Sequence, residues 1–332
     1  MSLPTQPQLS LVLTGRNDNY GGDFRARLQK CISNACRQLQ KAEIGSEVIF
    51  VNYNPLSDKP PIEEFIDWPS STDKVNIRVI TVPKEVHQQL TADGVRRPVP
   101  VLEYLGKNAG IRRAHGEFVL SMNPDIILPE NLVSRFHSLE DDSYYRTDRI
   151  DFSGELDEQH KLKRVCLRGQ DYELPSLEQL TELRNKNKRV NAWRYFTPKI
   201  EGILNFVSSP VYYNSAEYRF HCNGAGDFML MARDSWFKLR AHHEHRPISL
   251  HVDGLMVVQA ATLGLKEVVF QEPIFHQEHE RRYDAKTENP LHKEAFDHFV
   301  SETAKMMKVG RPEMYNSTDW GLVNFDLPET NL

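Results

Sequence analysis

The chain has 332 residues, 39% hydrophobic and 26% charged, the composition of an ordinary folded protein with room for one large α/β domain or two small ones. Its 41 basic and 46 acidic side chains give a formal charge of −5, which argues against a nucleic-acid-binding surface as its main business. No apolar run approaches the ~20 residues that span a bilayer, and MSLPTQPQLS lacks the basic start and apolar centre of a signal peptide, so a soluble chain is expected.

In chain order, residues 9–14 (LSLVLT) form the first predicted strand, opening into a Gly- and Asn-rich turn over 15–22. A helix is predicted over 23–40, with Phe24, Leu28, Ile32 and Leu39 near one face. Residues 47–51 and 76–82 are the next strands, the former closed by Asn52-Tyr53-Asn54-Pro55. Helical pattern resumes over 101–115, and 117–122 is a fourth strand. Pro129, at a first helical position, starts a short helix reaching to 139, and 144–152 (YYRTDRIDF) alternates as a strand does. Strands alternating with helices imply parallel pairing in a layered α/β sheet.

Residues 153–191 are polar and dense in charge, the start of a solvated insertion expected to reach about 222. Order returns at Asn223-Gly224-Ala225-Gly226-Asp227 and the apolar Phe228-Met229-Leu230-Met231. Helices are predicted over 233–240 and 252–263, a last short strand over 267–270, and further helix over 293–308. His242, His243 and His245 fall in a polar loop expected to be exposed, while Trp320 and Phe325 mark the last twenty residues as an arm packed on the body. Cys31, Cys36, Cys166 and Cys222 fit no zinc spacing; reduced, mostly buried thiols and a cytoplasmic setting are expected.

The stretch 107–125, KNAGIRRAHGEFVLSMNPD, carries the most chemistry. A basic, helix-compatible segment runs through Gly116 into Phe118-Val119-Leu120, an apolar run of buried-strand type. Pro124 cannot donate to a sheet ladder, so the strand ends there and presents Asn123 and Asp125 at its carboxyl edge, where open α/β sheets bind ligands. A carboxylate at that edge, after Lys107, Arg112 and Arg113, suits a metal-bridged or Arg-clamped diphosphate. The tripeptide alone fits equally a Pro turn with a solvated Asp. Lys107 and Arg112 do not share a helix face well, so one arginine is expected to point inward.

The same segment resembles the glycosyltransferases of the GT-A fold, especially their family 2-like branch. There an N-x-G-x-x-x-A-x-G-E-hydrophobic stretch leads into an Asp-x-Asp motif. Asn108, Gly110, Ala114, Gly116 and Glu117 match position by position, while Asn123 replaces the motif's first Asp. The resemblance implies one GT-A-type, three-layer α/β/α domain with a mostly parallel central sheet: a nucleotide-binding half at about 8–152, the insertion at about 153–222, and an acceptor half at about 223–332. It implies transfer of a sugar from a nucleotide-sugar donor, a UDP-sugar first, to a glycan or other hydroxyl acceptor by single displacement with inversion.

Residue roles follow from the same resemblance. Thr14, Gly15, Arg16 and Asn52 would line the base and ribose, and Lys107, Asn108, Arg112 and Arg113 would lie toward the diphosphate. Asn123 would offer the nucleotide a neutral hydrogen bond. Asp125 and the late His276 would hold a divalent metal, Mn2+ or Mg2+. Asp253, in His251-Val252-Asp253, would be the general base, and Asp227, beside Gly226, would touch the sugar or acceptor and is the second candidate base. Read without the family, the 14–19 segment is a turn, Asp253 is a helix N-cap, Asp227 is a turn residue, and His276 and His279 are surface histidines. Two rival functions share such a sheet: nucleotidyl transfer to a sugar phosphate, and non-catalytic carbohydrate binding.

Overall fold

The computed structural model describes residues 6–92, 94, 99–152, 164–167, 170–173, 220–222, 225–245, 249–279 and 290–332. Most of the expected insertion, together with Asn223 and Gly224, lies outside these residues. Within it are two short antiparallel strands, described below in their place in the chain.

Eleven strands are present among the described residues: Leu9–Gly15 (β1), Ser46–Tyr53 (β2), Val75–Val82 (β3), Phe118–Met122 (β4), Ile126–Ile127 (β5), Ser143–Phe152 (β6), Arg164–Leu167 (β7), Gln170–Glu173 (β8), Phe228–Ala232 (β9), Lys266–Gln277 (β10) and Glu329–Asn331 (β11). Nine form one sheet in the order β11-β3-β2-β1-β4-β9-β6-β10-β5, and β7 pairs with β8. β3, β2, β1, β4, β6 and β10 run one way; β9, β5 and β11 run against them.

Alternation along the central strands builds two cores. Leu11, Leu13, Val48 and Phe50 face the helix Phe24–Lys41 (α1), which contributes Leu28, Ile32 and Leu39. Val12, Ile49 and Val51 face the other side, packing with the helices Glu103–Arg112, Arg233–Leu239 and Val252–Thr262. Both faces of the sheet are covered, so its strands read as nearly continuous apolar runs. This is the three-layer α/β/α arrangement that the resemblance implies.

Numbering the remaining helices in chain order gives α2 (Ile62–Phe65), α3 (Lys84–Thr91), α4 (Glu103–Arg112), α5 (Glu130–Val133), α6 (Arg233–Leu239), α7 (Val252–Thr262) and α8 (Pro290–Val309). The helix predicted from Pro129 is one α turn followed by a 3-10 turn over Ser134–Ser138. The last predicted strand is much longer than expected: β10 passes a register shift between Phe270 and Ile274 and carries His276 into the sheet. No helix among the described residues is long and apolar enough to cross a membrane.

Candidate active site

The loops after β1 and β4 and the end of β6 surround one cavity of about 530 Å3, within the usual range for small-molecule sites. Pro124 ends β4, and the turn that follows is fixed by β10: the Gln277 backbone N–H and Nε2 both donate to the Asp125 carbonyl, at 3.0 and 3.2 Å. The register shift in β10 sets His276 opposite Ile126 of β5 and Asp151 of β6.

His276 Nε2 therefore stands 3.6 Å, and His279 Nε2 3.2 Å, from Asp125 Oδ2. Each of the three residues offers a donor atom within 4.8 Å of the others. Asp125 Oδ1 is buried and has no hydrogen-bond partner among the described residues. Leaving such an atom unpaired costs ~1–3 kcal/mol or more, and a cation removes that cost. Two imidazoles and a carboxylate suit Mn2+ and its first-row neighbours, with waters or phosphate oxygens completing the shell. The residues present fit a divalent metal.

Burial alone pushes the Asp125 carboxyl up, but the hydrogen bonds and charges of His276 and His279 outweigh it and hold the group well below the usual carboxylate range. Burial likewise lowers His276, yet its contacts with Asp125 and Asp151 prevail and raise it to about 9. His276 Nδ1 lies 2.8 Å from Asp151 Oδ1, which leaves Nε2 toward Asp125. A carboxylate behind the far ring nitrogen is the usual way a metal-binding imidazole is oriented.

A second group of charges joins this cluster. β9 runs antiparallel to β4, and the Met122–Phe228 pairing sets Asp227 beside Asn123. Asn123 Nδ2 donates to Asp227 Oδ1 at 2.8 Å, while Asn123 Oδ1 accepts from Lys107 Nζ at 2.6 Å. Arg149 of β6 reaches Asp227 Oδ2 at 2.7 Å and Asp151 Oδ1 at 3.2 Å. Asn123 is thus matched to its neighbours. An aspartate there could not donate to Asp227 and would set two carboxylates face to face.

No family model matches this chain, and no curated protein matches it. Among solved structures it is similar to GalNAc-T7 with UDP, GalNAc and Mn2+, at 11% identity over 94% of this chain and 52% of that one, TM-score 0.46. It is also similar to S. aureus TarS 1-349, at 10% identity over 81% of this chain and 60% of that one, TM-score 0.42. The chain thus spans between half and two thirds of each of these two structures.

Of the residues singled out in the sequence, Thr14, Gly15, Arg16, Asn123, Asp125, Asp227 and His276 line the cavity. Thr14 Oγ1 and Arg16 Nε are buried there without a hydrogen-bond partner among the described residues. Asn52, Lys107, Asn108, Arg112, Arg113 and Asp253 do not line it. Asn52 is buried next to Gly15 in the β1–β2 register, one strand away from the opening. Lys107 Nζ is held by Glu103, Asn123 and the Gly226 carbonyl. Asn108 braces the loop after α6 through His242 and Glu244.

Neither Arg112, at the end of α4, nor Arg113, its C-cap, points inward, contrary to the expectation from helical spacing. Arg112 lies over the Trp320 ring at 4.8 Å, and Arg113 donates to the carbonyls of Ala109, Gly321, Leu322 and Phe325. The glycine face of α4 lies against the sheet, which turns these side chains to the C-terminal arm. Asp253 is not the cap of α7, since His251 holds that position in a left-handed conformation (φ 61). Its Oδ2 accepts the Gly226 N–H at 2.7 Å, bracing the loop that carries Asp227.

His242 also departs from expectation. It is 1% exposed, packed between Tyr104 and Trp236, and burial followed by the nearby Lys107 charge keeps its imidazole well below its ordinary pKa. Among the residues the sequence did not assign are His279, Arg149 and Glu244, all on the cavity wall. Arg149 had a signal: it belongs to a run of charged side chains, Arg146, Asp148, Arg149 and Asp151, inside a strand that buries Tyr144, Tyr145, Thr147 and Ile150. His279 lies beyond the end of β10, where neither period nor pairing predicts its direction.

Proposed function

We propose that this cavity transfers a glycosyl group from a nucleotide-sugar donor to a hydroxyl acceptor. The observation carrying this reading is the Asp125, His276 and His279 set at the strand ends, inside a cavity whose wall also holds Arg149 and Asp227. A divalent metal held by those three donors would neutralise charge on the departing diphosphate. The base of the donor lies at Thr14 and Arg16, whose unpaired buried polar atoms suit a hydrogen-bonding ring edge, and UDP-sugars are the first donors to try.

Asp227 takes the proton from the acceptor hydroxyl as it attacks the sugar carbon on the face opposite the diphosphate, so the product is inverted. Asp253, expected from the resemblance to be the base, is assigned to the loop behind it, because it does not line the cavity and its Oδ2 accepts from the Gly226 N–H.

A thermal-shift panel of nucleotide sugars with and without Mn2+ identifies the donor, and product analysis separates sugar transfer (nucleoside diphosphate released) from nucleotidyl transfer (pyrophosphate released). With that donor, Asp227→Asn is expected to lower kcat by ~10²–10⁴. Asp253→Asn keeps an oxygen for the Gly226 N–H and should stay within ~10-fold of wild type. The opposite ranking would return the base to Asp253, and a protein indifferent to every donor would sink the reading.

A further inference from the structure

We infer that Arg149 is the diphosphate-binding cation of this site, and that the arriving donor takes its guanidinium away from Asp227. The inference rests on the reading of the cavity as a nucleotide-sugar site. Among the described residues, the lysine and arginine side chains on the cavity wall are those of Arg16 and Arg149. The basic residues of α4 and its C-cap are engaged elsewhere: Lys107 is fully buried on three acceptors, Arg112 is stacked on an indole, and Arg113 is clamped to carbonyls.

Arg149 is placed differently. Its side chain is 27% exposed, so it can be reached from the cavity, and it bridges two carboxylates that flank the metal-binding set. One of them, Asp151, is anchored by His276 at 2.8 Å. The other, Asp227, is 5% exposed at its side chain and is held on its far oxygen by Asn123. A guanidinium presents a planar fork that matches phosphate as well as carboxylate, so a metal-bound diphosphate competes directly with Asp227 for it.

Exchange has a consequence for the order of events. While Arg149 sits on Asp227 Oδ2, the guanidinium takes one of that oxygen's two lone pairs and competes with an acceptor hydroxyl for it. Once the diphosphate holds the guanidinium, Asp227 keeps its Asn123 hydrogen bond through Oδ1 and turns a bare Oδ2 to the acceptor. The base is fully released only when a donor is in place, which favours donor-first binding.

Isothermal titration with the nucleoside diphosphate the wild type binds best (UDP, GDP, ADP or dTDP), and separately with its parent nucleoside, tests this in Mn2+. Arg149→Ala is expected to weaken the diphosphate at least ~10-fold while the nucleoside, and Mn2+ followed by electron paramagnetic resonance, bind as in wild type. Asp227→Asn is expected to tighten the diphosphate severalfold, because the competitor for Arg149 loses its charge, a gain that a merely structural role would not produce. Unchanged diphosphate affinity in Arg149→Ala, an equal loss of the nucleoside, or weaker diphosphate binding in Asp227→Asn would each overturn the inference while leaving the glycosyl-transfer reading standing. If the wild type binds none of the four diphosphates, both fall together.

Discussion

Glu47 lies 2% exposed beneath the sheet edge and is surrounded by donors: Ser10 Oγ at 2.6 Å, the His115 N–H at 2.6 Å and Arg78 Nη1 at 2.6 Å. Burial by itself raises its pKa, but the bonds from Ser10, His115 and Arg78 prevail and the folded value lies below the ordinary 4.5. A depressed folded pKa contributes stability that is fully present above the unfolded value and is lost as pH falls through the folded one. Removing one member of a buried pair costs ~3–5 kcal/mol, since the partner charge stays behind. Glu329, which also binds Arg78 at 2.8 Å, places Glu47→Gln near the lower end of that range. Chemical denaturation of Glu47→Gln and wild type from pH 7 to pH 3 should show a gap of about 3 kcal/mol at neutral pH that narrows below pH 4.5. A gap constant across that window would contradict the assignment.

At the scale of elements, α4 and the turn into β4 explain why the resemblance was readable where it was. Gly110 has no room for a side chain, because a Cβ would lie 2.5 Å from Val12 Cγ1; at Gly116 it would meet the Ser10 backbone nitrogen at 2.4 Å. These two motif glycines let a helix and a turn rest on β1 and β2, so they belong to the fold and not to the ligand. Gly110→Ala meets methyls of the buried Val12 and Val51, which must shift, and should cost ~1–3 kcal/mol, whereas Gly116→Ala meets the backbone of a central strand and should cost ~3 kcal/mol or more. Urea midpoints in that order support the packing account; equal midpoints would refute it. Strands β1 to β4 and the edge at Asp125 were legible because apolar runs and Pro124 are local signals. The facing of Arg112 and Arg113 was not, because it depends on a C-terminal arm two hundred residues away in the chain. The reach of β10 was hidden for a related reason: its register shift lets Ile274–Gln277 re-enter the sheet, which no single periodicity describes.

For the molecule as a whole, that C-terminal arm links the sheet edge to the cavity. β11 covers β3 by antiparallel pairing, Trp320 is buried against Arg112 and Phe237, and the Gly321 N–H donates to Glu244 Oε1 at 2.8 Å. Asn316 fixes the loop between α6 and the cavity, donating from Nδ2 to the carbonyls of Arg240 and His242 and accepting from the Glu244 N–H. Arg240 and Ala241 in that loop are consecutive non-glycine residues in the left-handed region, at φ 58 and 54. Each such residue costs ~1–3 kcal/mol and persists only where its surroundings hold it. Asn316→Ala removes three of the restraining hydrogen bonds at once, so the strained loop should relax before the sheet does. Hydrogen exchange is expected to show faster amide exchange at His242 and Glu244, with β1 and β2 protected as in wild type, and a local loss of ~2–3 kcal/mol. Because His243 and Glu244 form part of the cavity wall, binding of the proposed nucleotide-sugar donor should weaken in the same variant although Asn316 itself does not line the cavity. Uniformly faster exchange across the sheet would instead make Asn316 a determinant of global stability, and unaltered exchange at His242 would show that Asn108, which bonds the same residue through its side chain, holds the loop without it.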